Sequence, residues 1–283
     1  MDRADELRAF LRSRRARLSP DDVGVWPVGG RRRVPGLRRE EVADLAGVSP
    51  DYYVRLEQGR NGNVSTDVLD AVSRALRLSD IEREHLHNLA RPLRRGHLTP
   101  AAEHASPGVQ AVVDGMAPAP AYVVGRHTQL LAWNHPARTV FADFDALPRA
   151  RRNMARLVFL DPDAQRLYLD WEHKAGDVIA RLRFMLGRHP HDPALTGLVA
   201  ELADARPEFR RLWDTQVVAD KTHGAYRLRH PSGAAYTLPF RALRLPEDPD
   251  QTLIAYTPDP GSDAEAMLRS ATGGTTAHRT AAP

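Results

Sequence analysis

The chain has 283 residues, 42% of them hydrophobic, and a formal net charge of +4, so it is long enough for two globular domains. It contains no cysteine, which excludes disulfides, thiolate metal centres and thiol nucleophiles, and no run approaches the ~20 apolar residues of a membrane span. Residues 1–100 hold 19 Arg and no Lys against 15 acidic residues, while the remainder balances 21 bases against 21 acids, so the whole positive excess lies in the first third. A basic module followed by a neutral one points to nucleic-acid binding by the first alone. The start, Met1-Asp2-Arg3-Ala4-Asp5-Glu6, has no apolar signal core, and with the absence of cysteine this leads us to expect a cytoplasmic protein with no membrane partner.

Taken in chain order, Leu7, Phe10, Leu11 and Leu18 make an apolar stripe on a first helix. Residues 20–36, rich in Pro, Gly and Arg, read as a loop that exposes Arg31, Arg32 and Arg33. Residues 37–60 then carry a helix, a tight turn at Gly47 and a second helix. Ala43 lets the two helices approach, Gly47 takes positive φ without steric cost, and Val48 fills the angle between them. Ser49 is placed as an N-cap and Pro50 at the first helical position, where no N–H is needed. Tyr53 and Leu56 fall on the buried side, and Gly59 closes the helix. This is the pattern of a helix-turn-helix, whose second helix enters the major groove. Val68, Leu69, Val72, Ala75 and Leu76 predict a further helix. Ser79-Asp80-Ile81-Glu82 predicts a capping box opening another, so that five helices end near Ala90.

Residues 91–108 read as a Pro/Gly/Ala-rich linker, with a short helix near Val109–Asp114. Strands are expected at Ala121–Val124 and Gln129–Trp133, then a short helix capped by Asn134, helices over 149–160 and 163–187, and two more marked by Leu195, Leu198 and Leu202 and by Phe209, Leu212 and Trp213. Three strands follow, at Ala225–His230, Ala235–Leu243 and Gln251–Tyr256. The predicted fold is α + α/β: an all-α helix-turn-helix domain over 1–90, a linker over 91–108, an α/β domain over 109–260 with one five-stranded sheet covered by helices, and a patternless flexible tail over 261–283.

Residues on the outer side of the second helix are the candidate DNA contacts: Ser49, Pro50, Asp51, Tyr52 and Arg55. Arg55 can offer two donors to guanine O6 and N7, or pair with Asp51 one turn back. Asp51 would accept from cytosine N4 or orient Arg55. Tyr52 can reach a phosphate or pack. Arg38, Arg39, Arg60 and Asn61 flank the motif and are candidates for phosphate contact, which sets register without reading sequence.

The runs Arg33-Val-Pro-Gly-Leu-Arg-Arg-Glu-Glu41 and Tyr52-Tyr-Val-Arg-Leu-Glu-Gln-Gly-Arg60 closely resemble the helix-turn-helix of actinobacterial regulators of the MmyB-like family, relatives of the broad Xre group. The resemblance continues through Trp133-Asn134, Asn153, Phe159-Leu-Asp-Pro162, Asp170-Trp171, Glu208-Phe-Arg-Arg-Leu-Trp213 and His230-Pro-Ser-Gly233. It implies that Glu57 pairs with an arginine inside the first domain, and that a PAS-like second domain binds a small apolar, fatty-acid-like ligand. The chain departs from the family at Gln216, where a His is usual.

Large aromatic side chains supply the candidate ligand wall: Trp133, Phe141, Trp171, Trp213, Tyr226 and Tyr236. A sheet covered by long apolar helices can enclose a pocket between layers. Arg210, Arg211 and His230 are candidates to meet a carboxylate head. No Gly-rich phosphate loop, His-Glu-x-x-His or Gly-x-Ser-x-Gly motif is present, so no catalytic residue, metal or cofactor is expected. The expected activity is a transcriptional regulator, binding a partly palindromic double-stranded operator as a homodimer. The alternatives give the second domain dimerisation or protein docking alone, or make it a cofactor sensor or an enzyme.

Overall fold

The computed structural model describes residues 3–24, 36–60, 64–90 and 103–273. The chain divides into two compact units: Met1–Leu98 with Leu186–Asp192 and Trp213–Ala219, and Thr99–Met185 with Pro193–Leu212 and Asp220–Pro283.

In the first unit, α1 (Arg3–Arg17), α2 (Pro20–Val23), α3 (Arg39–Ala46), α4 (Pro50–Glu57), α5 (Thr66–Ala75) and α6 (Asp80–Ala90) close around Leu7, Phe10, Leu11, Leu37, Val42, Tyr53, Leu56, Leu69, Val72 and Leu86, all buried. The short α2 lies where a loop is expected. Its cause is local: Ser19 and Asp22 form a capping box around Pro20 at the first helical position. The expected box of α6 is present, with the Ser79 N–H donating to Glu82 at 3.0 Å and the Glu82 N–H to Ser79 at 3.3 Å. Arg31, Arg32, Arg33 and Asn61 lie outside the described residues.

The second unit is built on one antiparallel sheet of order β2-β1-β5-β4-β3, from β1 (Ala121–Val124), β2 (Leu130–Trp133), β3 (His223–Arg229), β4 (Ala235–Arg244) and β5 (Thr252–Tyr256). Side chains alternate between its faces. On one face Ala121, Val123, Ala132, Leu253 and Ala255 form an apolar patch covered by Val113 of α7 (Pro107–Gly115). On the other face the register aligns Tyr122 with Ile254, Phe240 with Tyr256, and Tyr226 with Leu238. This aromatic face meets Phe141, at the end of α8 (His135–Val140), and Lys174 and Asp177 of α11 (Trp171–Arg188). The further helices are α9 (Met154–Leu160), α10 (Pro162–Leu167), α12 (Pro193–Ala205) and α13 (Pro207–Trp213), with Leu186–Arg188 and Trp213 grouped in the first unit.

Three expected elements differ. The helix foreseen over 149–160 is a 3-10 turn at Arg149–Arg151 followed by α9, because Asn153 stops to cap α9, accepting from the Arg156 N–H at 3.1 Å. The helix foreseen over 163–187 is α10 and α11. Between them Tyr168 bridges to Leu228, and the Leu169 N–H donates to the Arg227 carbonyl at 2.9 Å. The edge of β3 captures that backbone, which satisfies strand groups otherwise left open. The tail foreseen over 261–283 instead forms α14 (Asp263–Gly273), with Ala264 and Leu268 buried.

Candidate functional site

Two turns of backbone position the outer face of α4. Gly47 adopts φ +66° and its N–H caps α3 on Ala43 and Asp44 carbonyls. Ser49 then accepts from the Tyr52 N–H at 3.2 Å, with Pro50 at the first helical position. Gly59 ends the motif at φ +67°, and an added Cβ there would lie 2.6 Å from the Cβ of Ala4, so glycine is required twice over. Tyr53, Leu56 and Glu57 point inward. Burial pushes the Tyr53 hydroxyl far above its usual pKa, with Glu57 adding to the rise, so it stays protonated.

The outward set of α4 is Ser49, Pro50, Asp51 and Arg55, all exposed, with Tyr52 half-buried beside them. Among the described residues Arg55 has no ion pair, and the pairing with Asp51 is not formed. Arg60 is exposed just beyond the helix, its N–H on the Arg55 carbonyl at 2.9 Å. Arg38 is half-buried at the start of α3, where its N–H donates to the Glu41 carboxylate at 2.6 Å. Arg39, expected on phosphate, is engaged otherwise: its Nε and one Nη meet Glu57 Oε1, each at 2.8 Å. Arg15 binds the other oxygen of Glu57 at 3.1 Å, so the expected internal pairing of Glu57 is present and double.

In the second unit the rings on the inner face of the sheet form one contiguous group. Tyr226 stacks on Phe240 at 4.9 Å, Tyr256 lies 4.7 Å from Phe141, and Tyr122 meets both Phe141 and Tyr256. The Tyr122 and Tyr256 hydroxyls pair at 3.0 Å. Burial raises these tyrosines; Tyr122 and Tyr236 are each pushed up to about 12, the Tyr256 hydrogen bond opposing the rise in Tyr122. From α11 the Asp177 carboxylate accepts from Tyr226 at 2.9 Å and binds Lys221 at 2.6 Å. Lys174, one turn before Asp177, is buried over the faces of Tyr226 and Tyr168. Burial pulls its ammonium down to about 8, against the pull of Asp177.

Of the sequence candidates, Phe141, Tyr226 and Tyr236 lie on or against this face. Trp133 stands at the β2 edge, half-buried against Phe144, with its indole N–H on Asp145 at 3.1 Å. Trp171 joins a separate pair with Phe159 and donates to the Val158 carbonyl at 2.8 Å. Trp213, a candidate for the ligand wall, is grouped with the first unit together with residues 214–219, where the Gln216 carbonyl takes the Arg14 guanidinium at 2.7 Å. Arg210 is exposed and donates to the Ala203 carbonyl, and Arg211 pairs with exposed Glu172 at 2.5 Å. His230 sits in the β3–β4 turn on the Ser232 hydroxyl at 2.8 Å.

Lys174, Tyr168, Tyr122 and Tyr256 were not among the sequence candidates. The available signal was Lys174 itself, one of two lysines in the chain, within the run 163–187 read as helix. Oxygens of Glu103, Asp248 and Asp250 lie within 4.8 Å of one another, the arrangement of a cation site, but Arg126 already meets Asp250 at 2.8 Å and offsets part of that charge. Among the described residues no helix is long and apolar enough to cross a membrane.

Comparison with known proteins gives two family matches. Residues 6–86 match a helix-turn-helix domain, which covers α1 to α6, and residues 105–271 match the MmyB-like transcription regulator ligand binding domain, which covers the sheet and its helices. No curated protein matches the chain. The second match spans more than half of the sequence, and the chain therefore belongs to the MmyB-like transcription regulators, with a DNA-binding helix-turn-helix and a ligand-binding domain.

Proposed function

We propose that this regulator binds a partly palindromic operator as a homodimer, and that a small fatty-acid-like molecule held between α11 and the sheet of the second unit alters its DNA affinity. The ligand reading rests on one observation: the layer facing α11 is a wall of aromatic rings, Tyr122, Tyr226, Phe240 and Tyr256, with polar groups buried among them. Pure core packing has little use for so many hydroxyls, whereas a binding site uses a few polar groups to orient an apolar body. By linkage, such a ligand shifts DNA binding only as far as it prefers one conformation over the other.

The test is a series of saturated fatty acids of increasing length on the full chain. Each buried methylene contributes ~0.8 kcal/mol, so the melting temperature should climb steeply with length and stop at one cutoff. A flat response across the series rejects the ligand reading and leaves dimerisation as the role of the second unit. Footprinting beside the regulator's own gene, with and without the longest effective acid, then measures the coupling.

A further inference from the structure

Lys174 sits in the first turn of α11 with 4% of its surface exposed. A buried ammonium ordinarily meets a carboxylate or carbonyl oxygen. Lys174 instead faces rings: its Nζ lies 4.6 Å from the centre of Tyr226 and 5.4 Å from that of Tyr168. It makes no hydrogen bond or ion pair through Nζ with a described residue. The carboxylate one turn on is already engaged, because Asp177 takes the Tyr226 hydroxyl at 2.9 Å and the Lys221 ammonium at 2.6 Å. Lys221 in turn reaches His173 at 2.9 Å, so these outer groups form a network of their own.

Tyr168 is the second group in the same position. It is 3% exposed, and its hydroxyl is buried with no hydrogen-bond partner. Its ring stands edge-on to Tyr226 at 5.6 Å, and the Lys174 ammonium lies over both rings. The Tyr168 backbone bridges to Leu228 on β3, and its side chain is buried against Tyr226 of the same strand. A donor and a cation left unmatched in one buried region call for an outside acceptor. Exposed Arg210 and Arg211 and half-buried His230, by contrast, already have partners.

We propose that the Lys174 ammonium and the Tyr168 hydroxyl together form an internal head-group site that takes the anionic oxygen of an acid ligand. The site rests on the ligand reading above and makes it more specific. The deprotonated oxygen accepts from both donors, and the rings of Tyr168 and Tyr226 keep water from competing for it. A charge-assisted hydrogen bond in such surroundings is stronger than the one an alcohol makes, so the head group discriminates while the chain supplies affinity.

The experiment compares dodecanoate with dodecan-1-ol, both below micelle formation, by calorimetric titration of the full-length protein at neutral pH. Wild type should bind the acid at least ~10-fold more tightly than the alcohol, the size of one charge-assisted contact. Lys174→Met, which keeps the length of the side chain, should bring the two probes to within about 2-fold, chiefly by weakening the acid. Tyr168→Phe removes one oxygen from an unchanged ring, should cut the preference by about 3-fold, and decides the matter if Lys174→Met fails to fold. Equal affinity of wild type for the two probes, or a preference that survives both substitutions, overturns the head-group site while the ligand reading stands. Binding of neither probe by wild type overturns both.

Discussion

Glu57, the last residue of α4, binds Arg39, the first residue of α3, at 2.8 Å, and its second oxygen takes Arg15 from α1 at 3.1 Å. The carboxylate is fully buried, so it joins three helices at a point where water cannot compete. Removing it takes the carboxylate from Arg15, which is only 12% exposed and whose guanidinium is left with just the Leu37 carbonyl at 2.6 Å. Glu57→Ala should therefore cost roughly 3–5 kcal/mol of stability. Arg39→Ala leaves Arg15 in place and removes a half-exposed partner, so its cost should be about 1 kcal/mol. Because Arg39 is committed to Glu57, its loss should leave the salt dependence of DNA binding unchanged. A slope shallower by ~1 in the Arg39→Ala protein would restore it to the phosphate-contacting set.

Arg55 and Arg60 carry the opposite expectation, since both are exposed on the outer side of the motif. Arg55→Ala should lose roughly 1–3 kcal/mol on the preferred site and relax the preference at one position per half-site. Arg60→Ala should weaken all sequences alike and lower the salt slope by ~1. Selection from a randomised pool, followed by titration at several salt concentrations, separates the two effects. An unchanged selected motif in the Arg55 variant would reduce that residue to a structural role.

Lys174 gives the stability of the protein a pH signature. Its folded-state pKa of about 8 lies below the unfolded value of 10.5, so the unfolded chain binds the extra proton between those limits. Stability should rise with pH through that window and remain fully penalised below it, by about 3 kcal/mol in all. The buried tyrosines act in the reverse sense above their unfolded pKa of 10.0, where the unfolded chain gives up protons that the folded state keeps. The interval from about 8 to 10 therefore belongs to Lys174, and Lys174→Met should abolish the rise there in denaturant titrations at graded pH. An identical slope in the variant would assign the rise to another group.

Asn134 is a third point of leverage. Its buried side chain accepts the N–H of Ala121 and of Ala137, each at 3.0 Å, and donates to the carbonyls of Val113 and Ala119 at 3.1 and 2.8 Å. One amide thus ties α7, β1 and the start of α8 together. Asn134→Ala leaves several buried groups unmatched and should cost on the order of 3 kcal/mol or more. Asn134→Asp keeps the two accepted bonds, loses both donors and should be comparably damaging. A melting temperature within ~2 °C of wild type for either variant would show that the neighbouring backbone finds other partners.

Much of the architecture was legible in the sequence because its causes are local. The Ser49-Pro50 start of α4, the Gly47 turn and the Ser79/Glu82 box are each complete within four residues, so reading them requires no knowledge of the rest of the fold. The five strands were foreseen within two residues at each end, since alternation along a half-buried strand is a property of the strand itself. What only the tertiary structure decided are relationships between distant segments. The break at Tyr168 and Leu169 exists because the edge of β3 takes that backbone, and the run from 163 to 187 carries no mark of it. Arg39 reads as one more basic residue until Glu57, in another helix, is seen to hold it. Lys174 reads as a polar residue on an amphipathic helix until packing sets it over Tyr226 of β3 and over Tyr168, which the break before α11 folds back beneath it. Periodicity reports which face of an element is apolar, but the charge state and partners of a side chain depend on which other faces close over it, and long-range packing alone settles that.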